Sequence, residues 1–289
     1  MTAAASLGLG SNRSAIVLQI EIDTEALIEP LSEAAREAGE IALRYFRPGE
    51  RTHANINHKA GGSPVTEADL LVDRFLEKRL RHIVPDAAWL SEEIADSPAR
   101  LGNPLVLIVD PIDGTRGFSN GDPQWAVSIG LVHQGRPIAG VVHAPAIEET
   151  YSAARGRGAQ LNAEPIRVSQ RTTLHGATLS GPQGFVGSVR DAGADVVPFP
   201  KMASLAMRLV RIASGRIDAG LVGDKSYDWD IAAADLILNE AGGRLTDLEG
   251  SQPRYNCETP RHAALAAGPA SFHAELVNAA RRAKHLPPR

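Results

Sequence analysis

Cysteine and long apolar runs are both scarce in this sequence. Cys257 is the single cysteine among 289 residues, which excludes an internal disulfide and a cysteine-based metal cage. Such a chain suits a reducing compartment, and we expect a cytoplasmic protein. No stretch approaches the ~20 consecutive apolar residues of a membrane-spanning helix, so we expect no membrane partner.

The first 22 residues lack the features of a secretory signal. A signal needs a positive flank, a longer apolar core and a small-residue cleavage site. Here the apolar run at residues 15–20 is short and leads directly into Glu21 and Asp23. We interpret residues 1–22 as a flexible extension.

An excess of positive charge is also lacking. The formal net charge is −4, which gives no general attraction for nucleic acid, and we expect no nucleic-acid partner. The nine histidines show no pair at helical spacing with a third ligand nearby, which argues against a zinc site. No Gly-x-Ser-x-Gly sequence supports a serine hydrolase. The hydrophobic fraction of 43% and the charged fraction of 22% are typical of a soluble globular enzyme.

Apolar residues recur at helical or strand spacing along most of the chain. The continuous apolar run at residues 105–109 is typical of a strand buried on both faces. A helix that begins at Thr66 is expected to bury Leu70, Leu71, Phe75, Leu76 and Leu80. Further helices are predicted over residues 23–46, 203–213, 229–241 and 271–284, and further strands over residues 89–90, 126–133, 138–143, 151–154 and 217–222.

Interleaved helices and strands indicate an α/β or α+β class with layered sheets. The chain is long enough for one large unit or for two modest domains that share a core. We place a boundary near residue 170, which divides the folded part into residues 23–170 and 171–289. Residues 51–63 carry no clear period and predict a loop or a loose hairpin.

An acidic pair follows the apolar run at residues 105–109. Asp110 and Asp113 lie three residues apart in so tight a turn that they repel each other unless a cation lies between them. Mg²⁺ prefers carboxylate and carbonyl oxygens, and the carbonyl of Ile112 is a further ligand candidate. Gly114 and Thr115 would offer backbone N–H groups to an anion. Asp-Pro and Asp-Gly are equally common in ordinary turns, so a metal site requires more ligands from elsewhere.

Four elements of the sequence resemble the inositol monophosphatase superfamily. Residues 110–115 match its DPIDGT motif, and residues 229–234 match its WD signature at the start of a helix. The paired glutamates at residues 92–93 and the SPVTEAD element at residues 63–69 occur in the same order as in that family. The resemblance implies a layered α-β-α-β-α sandwich, a Mg²⁺-dependent phosphomonoesterase activity on a small phosphorylated metabolite, and a homodimer.

The resemblance also assigns roles to individual residues. Two or three Mg²⁺ ions would be held by Glu92, Asp110, Asp113, Asp230 and the Ile112 carbonyl. Asp69 and Thr115 would orient the attacking water, and Glu92 would share in the catalysis. The N-terminal domain would thus bind metal, and the C-terminal domain would complete the active site.

Structural interpretations stand beside these roles. Asp69 lies three residues after Thr66, a spacing that is typical of a capping box. Asp230 suits the N-terminus of a helix regardless of catalysis. Glu92 and Glu93 are also consistent with a solvated acidic pair.

Residues 63–69, the Arg116 that follows Thr115, and residues 225–230 look most like bacterial 3'(2'),5'-bisphosphate nucleotidases, which convert phosphoadenosine phosphate from sulfate assimilation to AMP. Gly223 stands where animal inositol enzymes carry a glutamate that contacts the inositol ring. The alternatives are an inositol-1-monophosphatase, a histidinol phosphatase, and a regulatory binding protein on the same fold. The residues expected to bind the substrate are Ile112, Asp113, Gly114, Thr115, Arg116, Lys201 and Asp230, with Arg208 and Lys225 as further cations for a second phosphate.

Overall fold

The structure, a computed structural model, describes residues 22–58 and 64–284. Most of the predicted N-terminal extension therefore lies outside the described residues. The helices are α1 Ile28–Leu43, α2 Glu67–Ile83, α3 Thr115–Ser119, α4 Gln183–Asp191, α5 Leu205–Ala213, α6 Asp228–Glu240 and α7 His273–Lys284. The strands are β1 Ile56–His58, β2 Pro64–Thr66, β3 Ala88–Ser91, β4 Leu105–Asp113, β5 Ala126–His133, β6 Arg136–Ala144, β7 Glu149–Ala154, β8 Ala159–Leu161, β9 Glu164–Ile166, β10 Ala177–Ser180, β11 Val196–Pro198, β12 Ala219–Val222, β13 Gly243–Asp247 and β14 Leu265–Pro269.

These elements stack in five layers. Helices α1 and α2 cover one face of a seven-stranded sheet in which β3 to β9 follow one another in chain order. Helices α5 and α6 lie on the opposite face and contact a five-stranded sheet of order β11-β10-β12-β14-β13. Helices α4 and α7 pack with the second sheet. The predicted α-β-α-β-α sandwich is confirmed.

Strand β4 is buried on both faces, as its apolar run predicts. Val106 and Ile108 pack in the cluster that contains α5 and α6, whereas Leu107 and Val109 pack in the cluster that contains α1 and α2. The strand pairs in parallel with β3 and antiparallel with β5. The functional motif at its end is therefore supported by apolar packing on both sides.

The buried face of α2 differs from the prediction. Leu70 and Leu71 are exposed, and the buried residues of the helix are Ala68, Asp69, Val72, Asp73, Leu76 and Leu80. The helical period is as expected, but it is rotated so that two aspartates face inward. The apolar pattern misses this arrangement because charged residues are normally assigned to the solvent face.

Most of the second sheet is missing from the prediction. Only β12 is anticipated, within the range 217–222. Strands β10, β13 and β14 are rich in alanine, glycine and polar residues, so they show neither the alternation nor the β-branched composition that identifies a strand. Helix α4 is likewise unpredicted because of its two glycines.

Several boundaries also shift. Helix α1 begins at Ile28 rather than at residue 23, after a turn. Residues 56–58 and 64–66 form a short antiparallel pair, the hairpin alternative of the prediction. No helix in the two described ranges is long and apolar enough to cross a membrane. The division near residue 170 stays a prediction, although the change from one sheet to the other falls between Ile166 and Ala177.

Close packing between β6 and α6 leads to a stability prediction. A methyl group added at Gly140 would lie 2.8 Å from the carbonyl oxygen of Ala233, which is backbone that does not yield easily. We expect Gly140→Ala to lower the free energy of unfolding by about 1–3 kcal/mol. The control is Gly187→Ala in α4, where the new methyl group meets no atom within 4 Å and should stabilise the helix by up to ~1 kcal/mol. Urea unfolding measures both, and equal effects would contradict the packing argument.

Candidate active site

Strand β4 contains a bulge at the acidic motif. Asp110 pairs with Ser128 of β5 and Asp113 pairs with Ala126, so one extra residue is accommodated in β4. In a regular strand, residues three apart point to opposite faces, and the bulge removes this alternation. The Ile112 amide donates to Asp110 Oδ1 at 3.0 Å and helps to fix the bulge. The prediction had ended this strand at Val109.

The bulge and helix α6 bring three carboxylates together. Asp110, Asp113 and Asp230 each offer an oxygen, and these oxygens lie within 4.8 Å of one another. Asp230 is placed by the N-terminus of α6, where its Oδ2 accepts from the Tyr227 amide at 2.7 Å. The group opens into a cavity of about 270 Å³ that is lined by Pro64, Glu92, Asp110, Asp113, Gly114, Thr115, Arg116, Lys201, Met202, Ala203 and Asp230.

Helix α5 holds Asp113 in place, a role that the sequence did not suggest. The buried Ser204 hydroxyl donates to Asp113 Oδ2, and the Leu205 and Ala206 amides donate to the same carboxylate at 3.2 and 2.6 Å. Ser204 also accepts from the Met207 amide as the N-cap of α5. The available signal was a serine at a helix start, which indicates a cap but not a distant carboxylate partner.

Burial raises the pKa of the clustered carboxyl groups. The pKa values of Asp69 and Asp113 are both raised to about 6, chiefly by burial. Those of Asp110 and Asp230 are raised well above their usual range, again mainly by burial. The charge of Glu92 adds to the increase at Asp110, and that of Asp113 adds to the increase at Asp230. The protein alone therefore disfavours the ionised cluster.

Asp69 combines its capping role with a contact to the motif. Its Oδ2 accepts from the Thr66 amide at 2.8 Å, and its own amide donates to Thr66 Oγ1, which completes the predicted capping box. The other oxygen, Oδ1, lies 3.1 Å from Thr115 Oγ1. That hydroxyl also lies 3.0 Å from the Ile112 carbonyl oxygen. The two interpretations of Asp69, structural and catalytic, are thus compatible.

The remaining predicted residues differ in whether they line the cavity. Glu92, Gly114, Arg116 and Lys201 line the cavity, and Gly114 adopts a φ of +95° that favours glycine. The Ile112 side chain is fully buried in the core. Arg208 and Lys225 do not belong to this lining, and Lys225 is exposed. Arg208 is half-buried on α5, and the charges of Asp113 and Asp230 oppose the decrease in its pKa that burial causes.

The donor set fits a hard divalent cation. Every metal-ligand atom that the side chains of the cluster offer is a carboxylate oxygen, the ligand type that Mg²⁺ prefers. The raised pKa values show that the assembled carboxylates need positive charge to ionise together. A cation bound here would supply that charge.

Comparison with known proteins identifies the family. A model of the inositol monophosphatase family matches residues 23–285. This chain belongs to that family. Its relatives include the inositol-1-monophosphatase of Mesorhizobium japonicum, 34% identical over 78% of this chain and 87% of the relative. The Nus factor SuhB of Xylella fastidiosa is 32% identical over 82% of this chain and 87% of that protein.

Solved structures agree with the assignment. The suhB protein of Bartonella henselae has a TM-score of 0.78 at 30% identity and covers 89% of this chain and 98% of its own. An IMPase from Thermotoga maritima has a TM-score of 0.77 at 28% identity over 90% and 98% of the two chains. This inositol monophosphatase family member is therefore a phosphomonoesterase. The family is Mg²⁺-dependent and acts on small phosphorylated metabolites.

The raised pKa values predict a pH-dependent response to Mg²⁺. In the metal-free protein these carboxyl groups bind protons more tightly when folded than when unfolded, so their contribution to stability falls as pH rises from about 4 through about 6. Mg²⁺ competes with the protons and restores stability at higher pH. We expect Mg²⁺ to raise the melting temperature, and to raise it more at pH 7.5 than at pH 5.

Differential scanning fluorimetry with Mg²⁺ against EDTA measures this effect. Sodium chloride at matched ionic strength is the control for general screening. An equal shift at both pH values, or no shift at either, would contradict the assignment of the cluster as a cation site.

Proposed function

We propose that this phosphomonoesterase is a 3'(2'),5'-bisphosphate nucleotidase that converts phosphoadenosine phosphate to AMP and phosphate. The supporting observation is that the cavity combines the carboxylate cluster with two cationic side chains, Arg116 and Lys201. One phosphate would lie at the cluster, and a second anionic group would require cations of this kind. The sequence resemblance at residues 63–69 and 225–230 points to the same substrate class.

Arg208 and Gly223 give further support. The Nε of Arg208 has no hydrogen-bond partner among the described residues, and its Nη1 donates to the Leu221 carbonyl at 3.3 Å. Gly223, two residues after Leu221, has no side chain. A Cβ at this position would lie 3.7 Å from Pro182 Cγ. Gly223 therefore offers no carboxylate acceptor, which an inositol ring would favour, and Arg208 places a positive charge near Leu221.

The proposed chemistry assigns a role to each residue. Glu92, Asp110, Asp113, Asp230 and the Ile112 carbonyl would hold Mg²⁺. When bound, Mg²⁺ supplies charge that neutralises the phosphate and makes a nearby water more acidic. Thr115 Oγ1 has a single proton to donate, to Asp69 Oδ1 or to the Ile112 carbonyl, and its lone pairs remain free to accept from the attacking water. Asp69 would orient that hydroxyl and hold its proton.

The role of the carboxylates is tested by shape-conserving substitution. We expect Asp110→Asn and Asp113→Asn to abolish turnover, since each removes one charge from the cluster, while the fold persists. Circular dichroism checks the fold and phosphate release measures the activity. The matched control is Asp191→Asn at the end of α4, which should keep the wild-type rate. Near-normal activity of either cluster variant at saturating Mg²⁺ would contradict the proposal that these carboxylates bind Mg²⁺.

The substrate is tested with a panel of phosphoadenosine phosphate, inositol-1-phosphate, histidinol phosphate and fructose bisphosphate. We expect the highest kcat/KM on phosphoadenosine phosphate. Arg116→Met should lower that value by about ten- to a hundred-fold, as expected for one charged hydrogen bond, and change inositol-1-phosphate by less than about two-fold. Arg190→Met, an exposed position on α4, is the control and should change neither. A higher kcat/KM on inositol-1-phosphate would overturn the proposal.

Two alternatives are supported by the relatives. Inositol-1-phosphate is the second candidate substrate, because the Mesorhizobium relative is named an inositol-1-monophosphatase. Relatives named Nus factor SuhB support a regulatory binding function on the same fold. Undetectable turnover on the whole panel, together with a macromolecule that co-purifies with the protein, would favour the regulatory function.

A further inference from the structure

The N-terminus of α6 is held by a polar network outside the cavity. Its central residues, Arg100, Asp228 and Asn256, are here called the clamp. Asn256 belongs to the connection between β13 and β14, where residues 248–264 contain no helix or extended strand. Connections of that length in a compact domain usually have a function of their own.

Arg100 forms one end of the clamp. It lies in the short 3₁₀ helix Pro98–Gly102 between β3 and β4 and is only 2% exposed. Its Nε and Nη2 donate to the two oxygens of Asp96 at 2.6 and 2.8 Å, and its Nη1 donates to Asn256 Oδ1 at 2.8 Å and to the Cys257 carbonyl at 3.0 Å. The Asn256 side-chain amide donates back to the Arg100 carbonyl at 3.2 Å.

Asp228 forms the other end. It is the first residue of α6 and is completely buried. Its Oδ2 accepts from the backbone amide of Asn256 at 2.8 Å, and its Oδ1 lies 2.7 Å from His262 Nε2. The backbone amide of Asp228 donates to the Pro260 carbonyl at 3.0 Å. Both carboxylate oxygens are thus occupied by the same connection. Asp230 follows two residues later in the first turn of the helix.

The clamp supplies what apolar packing cannot. Helix α6 is buried almost entirely by aliphatic side chains, and apolar contacts are non-directional. Directional hydrogen bonds at one end would fix the axial position of the helix. Because Arg100 comes from the connection that leads into β4, the clamp ties Asp230 to the part of the chain that carries Asp110 and Asp113.

We propose that Arg100, Asp228 and Asn256 are positioning residues that set the affinity of the carboxylate cluster for Mg²⁺ by fixing Asp230 relative to β4. None of the three contacts the cavity. The proposal concerns metal affinity and does not depend on which phosphate ester is hydrolysed. It also distinguishes Asp228 from Asp230, since the first is a buried hydrogen-bond acceptor and the second lines the cavity.

Asn256→Gly is the decisive variant. Asn256 has a φ of +57°, which glycine adopts readily, so the substitution removes the side-chain bonds to Arg100 without straining the backbone. Asn162→Gly is a matched control, because Asn162 also has a positive φ (50°) and its side chain also makes two hydrogen bonds, to the Thr150 amide and the Glu148 carbonyl, away from the cavity. The readout is the Mg²⁺ concentration that gives half of the maximal shift in melting temperature, with Mg²⁺ alone and no substrate.

We expect Asn256→Gly to raise this concentration about ten-fold, the scale of lost support for metal ligands, and Asn162→Gly to leave it unchanged. Arg100→Lys keeps the charge but loses the planar fork, and should shift the concentration in the same direction. Wild-type Mg²⁺ affinity in both clamp variants, or an equal change in the control, would overturn the proposal. Failure of both clamp variants to fold would also overturn it, because the clamp would then serve folding rather than positioning.

Discussion

The constraint on which the rest of this structure depends is that three carboxylates, shielded from water and repelling one another, lie close together. Carboxylate oxygens of Asp110, Asp113 and Asp230 lie within 4.8 Å of one another, in surroundings that oppose their ionisation. Each is nevertheless held firmly by its own element, Asp110 and Asp113 by the bulged strand β4 and Asp230 by the start of α6. Rigid support prevents the groups from moving apart, so a cation that neutralised them would relieve both their burial and their repulsion.

The residues that cap helices α2 and α5 also hold side chains of the site in place. The Thr66–Asp69 capping box begins α2 and also directs Asp69 Oδ1 to Thr115. Ser204 caps α5 and also donates to Asp113. Helix N-termini are suited to this task because their free amide groups and their dipoles favour negative charge. The same physical chemistry that begins a helix therefore also fixes a carboxylate at the site.

Sequence patterns anticipated which residues lie together at the cavity far better than they anticipated the second sheet. The apolar run before Asp110 and the motif that follows it are local signals, and the structure gathers Glu92, Thr115 and Asp230 around one cavity. Strands such as β14, with its alanines and glycine, owe their form to tertiary packing and leave little local trace. Long-range hydrogen bonds, such as the one from Ser204 to Asp113, cannot be predicted from periodicity, because the residue types do not identify the partner.

The cavity is assembled from positions as far apart in the chain as Pro64 and Asp230. The ribosome synthesises the chain from the N-terminus onward, so Asp110 and Asp113 emerge long before the helix that carries Asp230. Until then the nascent protein has an acidic turn but lacks the third carboxylate of the cluster. The cluster of three carboxylates is consequently completed late in synthesis, after most of the polypeptide has been made.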